Sequence, residues 1–127
     1  MNILTKVPHS VLWLMVKSKI AEENLRREAK IRGVNPDRLH FVEALPKQEH
    51  LSHLALADLA LDTRICNGHT TSSDALWAGV PVVALCGTHF ASRVSSSILF
   101  AIGMPGLITH TLEEYESLVI RLATNPD

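Results

Sequence analysis

The chain has 127 residues, 46% of them hydrophobic and 20% charged, with a formal net charge of -1 when its seven histidines are neutral. That length fits one domain or a piece of one, with enough apolar residues for a core, and the composition excludes a disordered tail. The charge balance excludes an electrostatic footprint for nucleic acid or an anionic membrane, and no apolar run approaches the ~18 residues that a membrane span needs.

Residues 2–6 resemble the end of a helix that Pro8 closes, and the interruption at Pro8 and His9, with no small-residue cleavage site beyond, argues against a signal peptide. The unbroken apolar run Val11–Val16 predicts a strand buried on both faces, with Trp13 in the core. A helix follows from about Ile20 to Arg32, with Ile20, Leu25, Ala29 and Ile31 apolar and Gly33 placed to end it. After the turn Asn35-Pro36-Asp37 come a strand at 39–42 and a helix from Pro46 to about Leu56, with Pro46 in its first turn. The strand at 59–61 leads through a polar loop to a helix from Thr70 to Ala78, ended by Gly79, with Trp77 assigned to the core. Then follow a strand at 80–85 with Pro81 near its start, a turn at 86–89 and a helix from about Ala91 to Ile102, ended by Gly103. A short strand at 107–109 and a final helix to about Ala123 complete the series, with Thr111 and Glu114 forming a capping box. Strand and helix alternate throughout, which predicts an α/β fold: a Rossmann-like parallel sheet with helices on both faces and ligands at the carboxyl ends of the strands.

The stretch Leu59–Val83 is where chemistry concentrates. It places Asn67, Gly68, His69, Thr70 and Thr71 at a helix start after a parallel strand, where the first amides lack internal partners and favour an anion. Thr hydroxyls and the imidazole of His69 add donors, and Asp74, one turn further in, suits ribose hydroxyls. Simple capping by Thr70 or Thr71, with His69 a solvated loop residue, explains the same spacing equally well. A second cluster, Lys47, His50, Ser52 and His53, projects from the preceding helix start, with Lys47 suited to a ribose or phosphate and His50 to a base or phosphate. The pattern alone favours a solvent-facing amphipathic helix there. His89 in its turn is a weaker ligand candidate, Arg93 is expected to pair with a carboxylate, and His9, His40 and His110 read as surface residues. Cys66 and Cys86 form neither a disulfide framework nor a metal-ligand pattern, suit a reducing compartment, and are expected as small apolar fillers. No carboxylate pair, Ser–His–Asp order or GxGxxG run is present, so phosphate binding depends on the helix start.

The stretch LDTRICNGHTTSSDALWAGVPVV resembles the nucleotide-binding lobe of the O-linked N-acetylglucosamine transferases, the plant SPINDLY-type proteins included. PKQEH before it, VPHSVLWL near the start and ASRV after the CGTH turn fit the same family in order, so the resemblance covers essentially the whole chain. It implies the C-terminal lobe of a GT-B glycosyltransferase, an inverting enzyme that transfers N-acetylglucosamine from UDP-N-acetylglucosamine to Ser or Thr of proteins. The resemblance implies that His69, Thr70 and Thr71 hold the diphosphate and Asp74 the ribose. It also implies that Lys47 contacts the nucleotide, that His50 lies in the same site, and that the backbone around Leu45 reads the uracil. Many members carry an arginine near the base where His53 stands, and a Pro-Gly pair in place of Cys86-Gly87.

No metal or other cofactor is expected, since helix dipole and cations can stabilise the departing UDP and no Asp-x-Asp motif occurs. The family's first lobe, its tetratricopeptide repeats and the segment with the lobe's first strand lie outside residues 1–127. The chain is therefore expected to be one partial UDP-sugar-binding lobe, with no catalytic residue of its own and no sugar transfer by itself. The protein acceptor would engage the absent first lobe and repeats. Without the central first strand, the strands at 11–16 and 39–42 would lack a bridge to those at 59–61 and 82–85. The competing reading is a catalytically inactive nucleotide-binding or interaction module with the same fold. The expected setting is cytoplasmic, or nucleocytoplasmic in a eukaryote.

Overall fold

The structure is a computed structural model and describes residues 1–125. The chain folds as two compact units, Met1–Leu45 and the remainder from Pro46. In the first unit, helix α1 (Asn2–Lys6) precedes strand β1 (Leu12–Met15), helix α2 (Lys19–Ile31) and strand β2 (Leu39–Val42). The two strands run parallel, Leu12 opposite Leu39 and Met15 opposite Val42. The hydroxyl of Ser18 caps α2 by accepting from Ala21 N, and Gly33 ends it at φ +73°, a left-handed conformation that favours glycine. Arg38 ties the turn before β1 in place, donating to the carbonyls of Val7 and Ser10, both at 2.7 Å.

Leu4, Ala29, Val34 and Leu39 form the core of this unit, with Leu12, Leu25 and Phe41 packed against it. The expectation of a strand buried on both faces fails here. Val11 and Met15 are about half exposed, and Leu12, Trp13 and Leu14 are only half-buried. Within this unit β1 packs through Leu12 against the core of Leu4, Ala29, Val34 and Leu39. Ile20 and Ile31 also point to solvent, so α2 contributes Leu25 and Ala29 alone of its four predicted apolar contacts.

The second unit contains α3 (Lys47–Leu54), β3 (Ala60–Leu61), α4 (Thr70–Trp77), β4 (Val82–Leu85), α5 (Val94–Ala101), β5 (Ile108–Thr109) and α6 (Leu112–Thr124). Its sheet has the order β3-β4-β5, all parallel, with Ala60 opposite Val82 and Ala84 opposite Ile108. The central strand β4 is buried at every residue, as a parallel strand flanked on both sides should be. Pro81 lies just before it, and its carbonyl still accepts from Ala60 N at 2.9 Å, so the missing N–H breaks no rung. Ala75, Val80 and Val82 form a core with Ala57, Ala60 and Leu76 around it. Gly79 and Gly103 adopt φ +84° and +77° after α4 and α5, as their positions predict.

Several sequence expectations change. Trp77 is 84% exposed rather than in the core. Ala75 faces β4, and two residues on, about 200° further round the helix, a side chain must point away from it. The helix expected over 91–102 is a 3-10 turn at Phe90–Ser92 followed by α5. At α6 the Thr111 hydroxyl accepts from Glu114 N at 3.1 Å, but Glu114 returns to His110 N at 2.8 Å, one residue ahead of the expected partner. The strands form two separate sheets, β1-β2 and β3-β4-β5. Parallel strands alternating with helices make this the Rossmann-like α/β class.

Candidate functional site

Polar side chains shape the loop between β3 and α4. Asp62 continues the ladder through its N–H to Val83 O at 3.1 Å, and its Oδ1 accepts from Gly68 N at 2.7 Å. Asn67 Nδ2 donates to Thr63 O at 2.8 Å and the Thr63 hydroxyl donates to Cys66 O, which closes residues 63–67 into a tight loop. Asn67 is buried, and its Oδ1 accepts from Ser95 N, near the start of α5, at 3.3 Å. Ser95 Oγ donates to Gly68 O at 3.0 Å and lies 2.8 Å from Ser72 Oγ, a buried hydroxyl pair joining α4 to α5. A side chain at position 68 would run into Thr71 Oγ1 and Ser72 Oγ, so this close turn requires glycine. From α6, the Tyr115 hydroxyl donates to Asp62 O at 3.0 Å. Burial, with the Asp62 carboxylate second, pushes the Tyr115 phenol well above its ordinary range, so it stays a donor.

This frame presents the start of α4. His69 is the N-cap and makes no side-chain cap bond, while Thr70 and Thr71 are the first two helical residues. The capping alternative is thereby corrected: neither threonine occupies the cap position. The first intrahelical bond runs from Ser73 N to His69 O at 3.1 Å. The amides and hydroxyls of Thr70 and Thr71 have no protein partner among the described residues, and both side chains are exposed. The His69 ring stands edge-on to Phe90 at 6.3 Å between centroids. Open amides at the positive end of a helix dipole, following a parallel strand, are the chemistry of an anion site.

Asp74 lies one turn along α4, its side chain 15% exposed, and both its oxygens sit 2.5 Å from Lys47 Nζ. Lys47 is the first residue of α3 and 60% exposed, with Pro46 as the N-cap rather than in the first turn. The two residues expected on the nucleotide thus meet each other, in a solvent-facing pair worth at most about 1 kcal/mol. His50 and His53 follow on α3, both half-buried. Leu45 is exposed at the end of the first unit.

A cleft of about 520 Å3 opens at the carboxyl ends of β4 and β5, lined by Arg64, Cys86, His89 and His110 among others. None of the expected donor-binding residues lines it. His89 Nδ1 is 2.6 Å from Ser92 Oγ. Arg93 donates to Gly87 O at 2.9 Å instead of meeting a carboxylate, and Cys66 is exposed rather than a core filler. Among the described residues no group of three or more His, Cys, Asp or Glu side chains is placed to hold a metal ion, and no helix is long and apolar enough to cross a membrane.

Ser95 and Tyr115 carry much of the frame yet were not singled out in the sequence. Each acts across 27 or more residues, beyond the reach of local spacing. Asp62 and Asn67 do leave a signal, since Asp and Asn flanking a short loop commonly bond its backbone.

Fold and site together define a Rossmann-like α/β lobe with an open helix start, and comparison with known proteins makes the class specific. The structure of a mutant O-GlcNAc transferase from Thermobaculum terrenum superposes with a TM-score of 0.92 at 35% identity, over 98% of this chain and 24% of that one. The chain therefore has the fold of a GT-B glycosyltransferase lobe. It is 44% identical to a UDP-N-acetylglucosamine–peptide N-acetylglucosaminyltransferase of Caenorhabditis elegans, over 99% of this chain and 11% of the relative. It is 45% identical to a probable enzyme of the same description, SEC, from Arabidopsis thaliana, over 98% of this chain and 13% of the relative. Residues 1–127 match the glycosyl transferase family 41 model, and the chain belongs to that family.

Proposed function

We propose that the second unit binds the diphosphate of a UDP-sugar, UDP-N-acetylglucosamine, at the start of α4. The observation that carries this reading is the pair of threonines at the first two helical positions, with amides and hydroxyls unpartnered among the described residues. Thr70 and Thr71 bind phosphate oxygens, His69 adds a donor, and Asp74 accepts from the ribose. Lys47 contacts the nucleotide from the facing helix, with His50 and His53 beside it. The names of the relatives supply the sugar and the class of acceptor.

The chemical demand on such a site is charge stabilisation. As the sugar leaves for a Ser or Thr hydroxyl, with inversion at the anomeric carbon, UDP gains negative charge. Donors fixed in advance stabilise that charge more in the transition state than in the bound donor. Amides, hydroxyls and Lys47 meet this demand without a metal. The chain spans 11% and 13% of these relatives, so transfer is assigned to the whole protein and donor binding to this segment.

Titration calorimetry with UDP tests the assignment. Lys47→Ala and His69→Ala each remove a charged or polar donor and should weaken binding by about tenfold. Unchanged affinity in both variants would overturn the site, and a chain that does not bind UDP at all would point to the interaction module instead.

A further inference from the structure

Gly68 is held at both backbone groups by side chains from other parts of the chain, its N–H by Asp62 and its C=O by Ser95 Oγ. Ser95 is 1% exposed, and its own N–H is engaged by Asn67 Oδ1, so its hydroxyl has a fixed origin. The bond to Gly68 O bears on the next residue. In a trans peptide the C=O and the following N–H point in opposite directions, and no cis peptide occurs among the described residues. Drawing the Gly68 carbonyl toward buried Ser95 therefore turns the His69 N–H the other way. That N–H, like those of Thr70 and Thr71, has no protein acceptor among the described residues.

We propose that Ser95, on α5, is a positioning residue of the anion site: its hydroxyl holds the Gly68 carbonyl inward and so presents the His69 amide to a phosphate alongside the amides of Thr70 and Thr71. The role rests on the second unit binding a nucleotide diphosphate. Ser95 itself never touches the ligand. The His69 amide then joins those of Thr70 and Thr71, and this added donor comes from a peptide plane outside the helix, set by a residue 27 positions further along the chain.

The test compares UDP with uridine, which lacks phosphates, on the full chain. Ser95→Ala frees the carbonyl and should lower UDP affinity by about tenfold while leaving uridine affinity unchanged. Ser96→Ala, the same change one residue on, removes a buried hydroxyl that has no hydrogen-bond partner among the described residues and should leave both affinities unchanged. Full UDP affinity in Ser95→Ala, or an equal loss for UDP and uridine, overturns the role of Ser95 while the nucleotide site stands. Failure of the unsubstituted chain to bind UDP overturns both. Should Ser95→Ala not fold, the amide spectrum of the unsubstituted chain decides. UDP should shift the His69 N–H resonance together with those of Thr70 and Thr71, and a His69 amide that stays put while the threonines move overturns the proposal.

Discussion

Tyr115 reaches from α6 to the carbonyl of Asp62, the residue from which the loop toward α4 departs. Its phenol is held protonated chiefly by burial and secondarily by the Asp62 carboxylate. The sign of the resulting pH effect follows directly. With the folded pKa raised above the ordinary value near 10, the contribution is fully present below about pH 10 and is lost as pH rises beyond it, because the unfolded chain releases the proton first. Tyr115→Phe should therefore cost about 1 kcal/mol at neutral pH, from the lost hydrogen bond, and flatten the fall in stability above about pH 10. Urea unfolding of both forms at neutral and alkaline pH measures both effects.

At the scale of elements, helix ends are where local chemistry and observed structure agree best. Gly33, Gly79 and Gly103 each take the left-handed conformation at the position their spacing predicts. Thr111 caps α6 as expected, and Thr111→Ala should lower stability by about 1 kcal/mol, readable as a shift in the urea midpoint. These features were legible because a cap involves residues only three or four apart. Burial was less legible. The run at 11–16 and the apolar positions of α2 carry the right residue types, but which faces are covered depends on how many strands stand beside them. Trp77 failed for a related reason: neighbours in sequence do not share a helix face. The same divide runs through the site. Thr70, Thr71 and His69 announce a helix start, whereas Ser95 is one serine among several in α5 until the fold brings it to Gly68. The pairing of Lys47 with Asp74 was equally invisible, because both were assigned outward to a ligand rather than to each other.

At the scale of the whole molecule, the family assignment and the share of its relatives that the chain spans bear on what this polypeptide does alone. The donor-side groups proposed above would bind and stabilise a leaving nucleotide, but none of them is proposed to activate an acceptor hydroxyl. Incubated with UDP-N-acetylglucosamine and a Ser/Thr peptide, residues 1–127 should transfer no measurable sugar; transfer detected by mass spectrometry of the peptide would refute that division of labour.

Each of the two compact units carries one tryptophan, Trp13 in β1 and Trp77 at the end of α4. Trp13 is half-buried and Trp77 almost fully in solvent, so the two indoles already differ in the polarity they experience. Unfolding should shift the emission of Trp13 toward the red and leave that of Trp77 nearly in place. The residue that the packing declined to bury thus makes the chain optically divisible: Trp77→Phe isolates the signal of the first unit, and Trp13→Phe leaves a solvent-facing fluorophore on the helix whose other end is the proposed phosphate site.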